Sequence, residues 1–559
     1  MLKKVSHLLH REWNSTYESA ILMGAFAIFS QLLILSRDRL LASHFGAGQV
    51  LDIYFAASRI PDLLFVCTAS GMTALVFLPV LVKHASESDA RAQKFINDTF
   101  TVVFMSFVLV AALAFAVAPI AARYIFPSFT AEAQHQFIVV TRMLLLAPLF
   151  FSLSNLLGSM TQVLNRFVVF AGAAVFYILG IALGAILFYP AFGIVGIAMG
   201  AVAGAFLNFF IHFFIASRNG FIPTISWRPS FLDIWELVRA AFPRAIYLVV
   251  SQILLLILVA FAAKLEPGSI AVFSFSFSLQ SLGLIVVGMP FTTSAFPGVS
   301  KHSAREDLVK FADHIVVTTR RIIFWSLPGA ILILVLRAQI VRTLLGTGAF
   351  GWTATKLTAA MLAIFAFSIT AQSLSYLLVR GFHMIGNKVI PLIANILSAT
   401  TIGLGTYGLM AIYSRSVLFR DSLGILMRVD DVSGSRVLLL AVAYSTGVLL
   451  NLFVLHYFYK KCFPGEFVPS LRKTFSESIF ASLIGGFVAY EFLIVLSLYL
   501  NLHTTRGILF QGLGAGVAGV AAWWLVLELI RNEDIQEFRQ ALGGKFSKAG
   551  IILPGQEEI

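Results

Sequence analysis

Apolar residues in this chain neither alternate nor recur once per turn. They run on in blocks of twenty or more, parted by short polar connections. At 1.5 Å per residue, such a block spans the ~30 Å of a bilayer's hydrocarbon. Fourteen blocks can be drawn, at about 21–45, 53–82, 98–122, 136–162, 167–189, 192–216, 243–263, 269–299, 315–336, 357–379, 389–413, 437–458, 475–500 and 507–530. Each is expected to be a helix, because lipid offers no partner to an unpaired backbone group and the alternation of a barrel is missing. The predicted fold class is an all-α polytopic membrane protein with about 14 transmembrane helices.

Composition agrees: 59% of the 559 residues are hydrophobic and 12% charged, against roughly 25% charged in soluble domains. Residues 1–19 are charged throughout and lack the compact apolar core of a cleaved signal. Leu2, Val5, Leu8, Leu9 and Trp13 share a helical face, so this stretch is expected to lie at the membrane interface or to cap the first span. Cys67 and Cys462 belong to no CxxC motif. The net charge of +13 is a matter of topology. With the N-terminus inside, Lys and Arg fall on the inner side more than twice as often as on the outer. The positive-inside rule then places both termini in the cytoplasm, and no nucleic-acid partner is expected.

The chain repeats itself. SQLLILSRDRLLASHFGAG from Ser30 aligns with SQILLLILVAFAAKLEPGS from Ser251, and FLPVLVKHAS from Phe77 with AFPGVSKHSA from Ala295. Both copies would start on the inner side, so the repeat is parallel. Such symmetry is a transporter plan in which the substrate site lies between the copies. The organisation predicted is an N-terminal lobe over 20–217, a cytoplasmic linker over 218–242, a C-terminal lobe over 243–460, appended spans over 474–530 and a cytoplasmic tail over 531–559.

Against this symmetry the charge is lopsided. Arg37, Asp38 and Arg39 interrupt the first span, and Asp52, Arg59 and Asp62 lie on or beside the second. Their repeat equivalents, near Ile257 to Ala260 and at Phe277, Ser278 and Leu279, are uncharged. The helical framework therefore does not demand the charges, which cost ~2.5–3.5 kcal/mol each at membrane depth unless paired or wet. Arginine's planar fork suits phosphate oxygens, so these six residues are the candidate substrate site, for an anion such as pyrophosphate. Structural readings stand beside it: Arg37 and Arg39 snorkelling to headgroups, and Arg59 with Asp62 as a buried pair.

At this point the residues resemble a family. SRDRLLASHFGAGQVLDIYFAASRIPDLL is similar to the signature of the MurJ/MviN proteins, lipid II flippases of the MOP exporter superfamily, and weaker likeness continues through GSIAVF and LLGTGAFGWTAT to about residue 540. The resemblance implies fourteen helices in two lobes around a cationic cavity. It implies alternating access that exports an undecaprenyl-pyrophosphate-linked disaccharide-pentapeptide. Arg37 and Asp38 match the family's RD pair, Asp52 the Asp after FGAG, and Arg59 the basic residue before IPN. Departures are definite: Gln31, Phe65, Val66 and Ser278 stand where the family has arginine, and Ser70 and Ser281 where it has glutamate.

Gly196, Gly200 and Gly204, and again Gly512 and Gly516, have the spacing of close helix packing. Glu491 stands alone in the thirteenth span, as a local hydrogen-bonding residue or a proton sensor. The histidines make no metal set, and no Walker motif, nucleophile elbow or zinc signature occurs. No enzymatic activity, metal or cofactor is therefore expected, and transport would draw on an ion gradient, the membrane potential or the substrate gradient. The tail 529–542 is amphipathic and is expected on the cytoplasmic surface, where it could dock a cell-wall biosynthesis protein. The function expected is a lipid II flippase of the bacterial cytoplasmic membrane, working among membrane lipids on a polyprenyl-pyrophosphate-linked saccharide. The alternatives are another polyprenyl-linked oligosaccharide as cargo, or a non-transporting scaffold for envelope biosynthesis.

Overall fold

A backbone surrounded by apolar side chains and lipid satisfies itself best by local hydrogen bonds, and helices account for every long element of the fold. The computed structural model describes residues 16–69, 74–163, 167–218, 220, 222–294, 308–463 and 468–539; among them there is no strand. Most of the expected interfacial segment 1–19 lies outside the described residues, as do Ser70, Lys301, Arg305 and the tail beyond 539.

The helices are α1 (Thr16–Phe45), α2 (Gln49–Ala69), α3 (Ala74–Glu87), α4 (Asp89–Ile125), α5 (Ala131–Leu144), α6 (Leu146–Val163), α7 (Phe167–Leu183), α8 (Tyr189–Phe192), α9 (Ile194–Arg218) and α10 (Phe231–Ala263). They continue with α11 (Ser269–Gly283), α12 (Met289–Ser294), α13 (Leu308–Leu344), α14 (Trp352–Met384), α15 (Val389–Arg415), α16 (Val417–Met427), α17 (Leu438–Cys462), α18 (Val468–Tyr499) and α19 (Thr505–Leu529). Single π turns, Gly184–Phe188 and Leu284–Gly288, join α7 to α8 and α11 to α12. Eleven described helical stretches are long and apolar enough to cross a membrane, with α11 a shorter apolar helix. The expected spans outside those eleven are the first, second and eighth. Two of them carry the six candidate charges, and α11 runs for 15 residues before its π turn.

By contact the chain forms two compact units, one of residues 1–278, 344–358 and 395–443, the other of 279–343, 359–394 and 444–559. In the first, α7 and α9 meet backbone to backbone. Side chains at Gly184 and Gly204 would fall 2.9 Å from the Gly200 Cα and 2.8 Å from the Tyr177 Cα. Phe77, Phe95, Leu156, Leu157 and Leu237 form a core shared by α3, α4, α6 and α10. Side chains of α4 fasten the connection that follows α9: Asn97 Oδ1 accepts from the Thr224 N–H (3.0 Å), Thr101 Oγ1 from Ser226 (2.8 Å) and Asp98 Oδ2 from Ser230 (2.9 Å). The long connection 414–436 contains α16, capped by the Ser416 hydroxyl, and is tied down by Lys356 on Asp431 (2.7 Å) and by Tyr413 to Ser435 (2.7 Å).

In the second unit α13, α14, α15 and α17 share a core around Ile322, Phe382 and Leu455. An apolar groove of about 670 Å³ lies among α13, α14, α17 and α18, lined by Leu327, Leu334, Phe367, Leu483, Phe487 and Tyr490 among others. Gly512 and Gly516 of α19 pack on α13, at Gln339 and Leu336, while α18 and α19 meet backbone to backbone at Gly485 and Gly519. The start of the tail folds back as a helix over 533–539. Its Ile535 is 2% exposed beside Phe324 and Trp523, and Phe538 sits edge-on to Trp325 at 5.1 Å. Its acids converge on α13 and α18, with Arg320 to Asp534 at 2.8 Å and to Glu537 at 3.2 Å, and Lys473 to Glu533 at 3.0 Å. Burial pushes the Asp534 carboxyl up from its ordinary range, against the pull of Arg320. Removing the arginine strands that carboxylate, so Arg320→Ala should cost about 3 kcal/mol. Thermal unfolding in detergent would read this, with part of the loss recovered in Arg320→Ala/Asp534→Ala.

Candidate functional site

Neighbouring residues on a helix leave it about 100° apart, so Arg37 and Asp38 of α1 meet only because the arginine is long enough to turn back. Its Nε and Nη2 both donate to Asp38 Oδ1, at 3.0 and 2.6 Å. The Ser278 hydroxyl of α11 donates to the other oxygen, Oδ2, at 2.6 Å. Asp38 is thereby 3% exposed with both oxygens engaged. Beside it on α2, Arg59 reaches Asp62, one turn on, at 3.9 Å, and the Nε of Arg59 is buried without a hydrogen-bond partner. Asp62 is the open member, its side chain 45% exposed. Arg37 is within electrostatic reach of Asp62 as well as of Tyr54 and Tyr177, which joins the two pairs into one cluster of four charges. Its aromatic flank is built from Tyr177 against Phe151 (4.7 Å) and Phe151 against Phe65 (5.8 Å). Phe65 is thus a wall residue where the resemblance places an arginine, and Val66 beside it is buried.

Four of the six candidate residues are therefore brought together, and two are placed otherwise. Arg39 is half-buried and leaves α1 about 200° around from Arg37. Asp52 is 5% exposed and spent on the backbone, its carboxylate accepting from the N–H groups of Gly268 (2.6 Å) and Ala271 (2.8 Å). It caps the N-terminus of α11 from another helix, where unpaired N–H groups and the helix dipole favour an anion.

Around that cap three turns interlock. Gly268, at φ +94°, rests on the Ala47 carbonyl, and Gly348, at φ +63°, on the Ser43 carbonyl, which also accepts from the Ala349 N–H at 2.8 Å. A side chain on Gly46, at φ +65°, would fall 2.6 Å from the Ala349 oxygen. The FGAG, EPGS and GTGAF stretches thus meet as one seal, whose left-handed glycines no other residue replaces without strain. Tyr54 and Tyr177 are site neighbours that sequence reasoning missed, and Ser278 was named there only as a departure from the family and not as a site residue. The signal for Ser278 was its position as the repeat equivalent of Arg59.

No metal-competent group of three or more His, Cys, Asp or Glu occurs among the described residues. The sequence profile of the family described as "Lipid II flippase MurJ" matches residues 41–509. A "Probable lipid II flippase MurJ" of Borreliella burgdorferi is 24% identical over 467 residues, covering 80% of this chain and 90% of the relative. One from Rhizobium tropici is 27% identical over 383 residues, covering 66% and 71%. Among solved structures, a lipid II flippase MurJ in an inward closed conformation superposes with a TM-score of 0.71 at 20% identity, covering 92% of this chain and 100% of that one. An inward-facing MATE transporter of the MOP superfamily follows the same fold, with a TM-score of 0.59 at 14% identity, covering 79% and 96%. Matched over more than half its length by the family profile, the chain belongs to the MurJ family.

Proposed function

We propose that this protein is a flippase that carries lipid II, the undecaprenyl-pyrophosphate-linked disaccharide-pentapeptide, outward across the bacterial cytoplasmic membrane by alternating access of its two repeats. The observation that carries this reading is the arginine pair Arg37 and Arg59, set with two carboxylates on α1 and α2 of a MurJ-family chain. The guanidinium of Arg59, whose counter-ion is 3.9 Å away, is the more loosely held of the two and turns to a phosphate oxygen. Arg37, oriented by Asp38, takes a second oxygen through the edge of its fork that Asp38 leaves open. The prenyl chain stays in lipid. With both termini cytoplasmic, the seal around Asp52 lies at the outer end of its helices and keeps the loaded headgroup from the outside until it parts.

The balanced charge and the aromatic wall at Phe65 favour one alternative, another polyprenyl-linked oligosaccharide as cargo. Complementation separates the two. In bacteria depleted of their own lipid II flippase, the wild-type chain should restore growth. Arg59→Ala, at matched membrane level, should lower plating efficiency at least about tenfold, the effect of one lost charge-assisted contact. Rescue by both would remove Arg59 from the site. Failure of the wild type despite normal insertion, in several hosts, would select the other cargo.

A further inference from the structure

This inference rests on the anion-site reading above and concerns how the site counts charge. The formal charges of Arg37, Asp38, Arg59 and Asp62 cancel, but unevenly. Asp38 is buried with both oxygens used, so Arg37 is a tightly held cation, approached at 2.6 and 3.0 Å. Arg59 sees its carboxylate only at 3.9 Å. Ser278 shares Asp38 with Arg37: its hydroxyl donates to Oδ2 while Arg37 donates twice to Oδ1. Serine fills one acceptor site and brings no charge. An arginine at 278, as the family resemblance places there, would take Asp38 for itself, release Arg37 and leave the cluster one positive charge in excess.

We propose that Ser278 is the charge-setting residue of the site. By fastening Asp38 to Arg37 without adding a cation, it leaves Arg59 as the one loosely held guanidinium of the cluster. The site then has little preference between a monophosphate-linked and a pyrophosphate-linked prenyl lipid. Reading a second phosphate requires a second cation not already answered by a carboxylate, because discrimination is a difference between two electrostatic energies. Selectivity among cargoes falls instead to the saccharide.

The test uses the purified full-length protein in detergent, with undecaprenyl phosphate and undecaprenyl pyrophosphate as probes. The wild type and Ser278→Thr should bind the two within about threefold of each other. Ser278→Arg should shift the preference toward the pyrophosphate by about tenfold, and added salt should erode that gain. A wild type that prefers pyrophosphate tenfold or more overturns the proposal, as does a folded Ser278→Arg protein with an unchanged ratio. Should Ser278→Arg fail to fold, the wild-type ratio alone decides. Arg37→Ala and Arg59→Ala distinguish the two levels. If both bind both lipids as the wild type does, the anion site itself is misplaced and the role of Ser278 falls with it. If either weakens binding while the ratios refute the proposal, only the role of Ser278 is lost.

Discussion

Asp52→Asn opens the seal. An asparagine carbonyl can accept from one of the two N–H groups that Asp52 now serves, Gly268 or Ala271, but its amide turns a donor toward the other. One buried N–H is then orphaned, and the full negative charge at the N-terminus of α11 is gone. Hydrogen bonds to a charged acceptor contribute roughly 1.5–3 kcal/mol each, and an unsatisfied buried donor costs about 1–3. The interlocked turns should therefore open at least ~30-fold more often, taking ~2 kcal/mol and tenfold per 1.4 kcal/mol. The measurement is thiol labelling. Ile270, 0% exposed beside the cap, is replaced by cysteine in a chain whose Cys67 and Cys462 have been changed to serine. A membrane-impermeant thiol reagent should modify it far faster in the Asp52→Asn background. Equal rates would mean that the turns are held by glycine packing alone.

That role for Asp52 was hidden in the sequence for a physical reason. Its partners are backbone donors 216 and 219 residues away, and a backbone N–H has no residue type. By contrast Arg37, Asp38, Arg59 and Asp62 were legible as a group, because charge in an apolar block is expensive and only one copy of the repeat bears it. Ser278 was harder to see. In FSFSFS a hydroxyl that bonds its own helix, as Ser276 does to Val272, looks the same as one that reaches a carboxylate on another helix. Among the described residues the apolar blocks fall on helices, eleven of them long and apolar enough to cross a membrane, but their internal breaks were not legible. The helix interruption at Leu145 and the π turn at Leu284–Gly288 depend on which carbonyl an N–H chooses, while the side chains remain apolar on both sides. Nor could apolar runs alone distinguish a span from a working helix, because the candidate charges of α1 and α2 sit inside otherwise apolar blocks.

The other large effect is expected far from any charge, at Gly200. Sequence spacing marked Gly196, Gly200 and Gly204 for close packing, and α9 indeed lies against α7 with nothing between the two backbones. A Cβ on Gly200 would fall 2.5 Å from the Cα of Gly184, a contact with main chain on a neighbouring helix rather than with a side chain that can turn aside. Gly180, Gly184 and Gly204 make the reciprocal contacts, so no single rotamer change relieves the clash and the helices must separate along their length. Separation would strip van der Waals contact from Ile197, Ala201 and Ala205, all 0% exposed. In membranes this loss is not offset by a hydrophobic gain elsewhere, because lipid is as apolar as the helix it replaces. Gly200→Leu should therefore exceed the 1–3 kcal/mol typical of overpacking a soluble core, costing about 4 kcal/mol or more. It should appear as loss of monodisperse protein in detergent size-exclusion chromatography. Gly200→Ala should be intermediate, and Gly403→Ala on α15, where a Cβ meets nothing within 4 Å and the backbone is helical, should leave yield and thermal midpoint unchanged or slightly raised. Full yield and an unchanged thermal midpoint in Gly200→Leu would place α7 and α9 further apart than their glycines require.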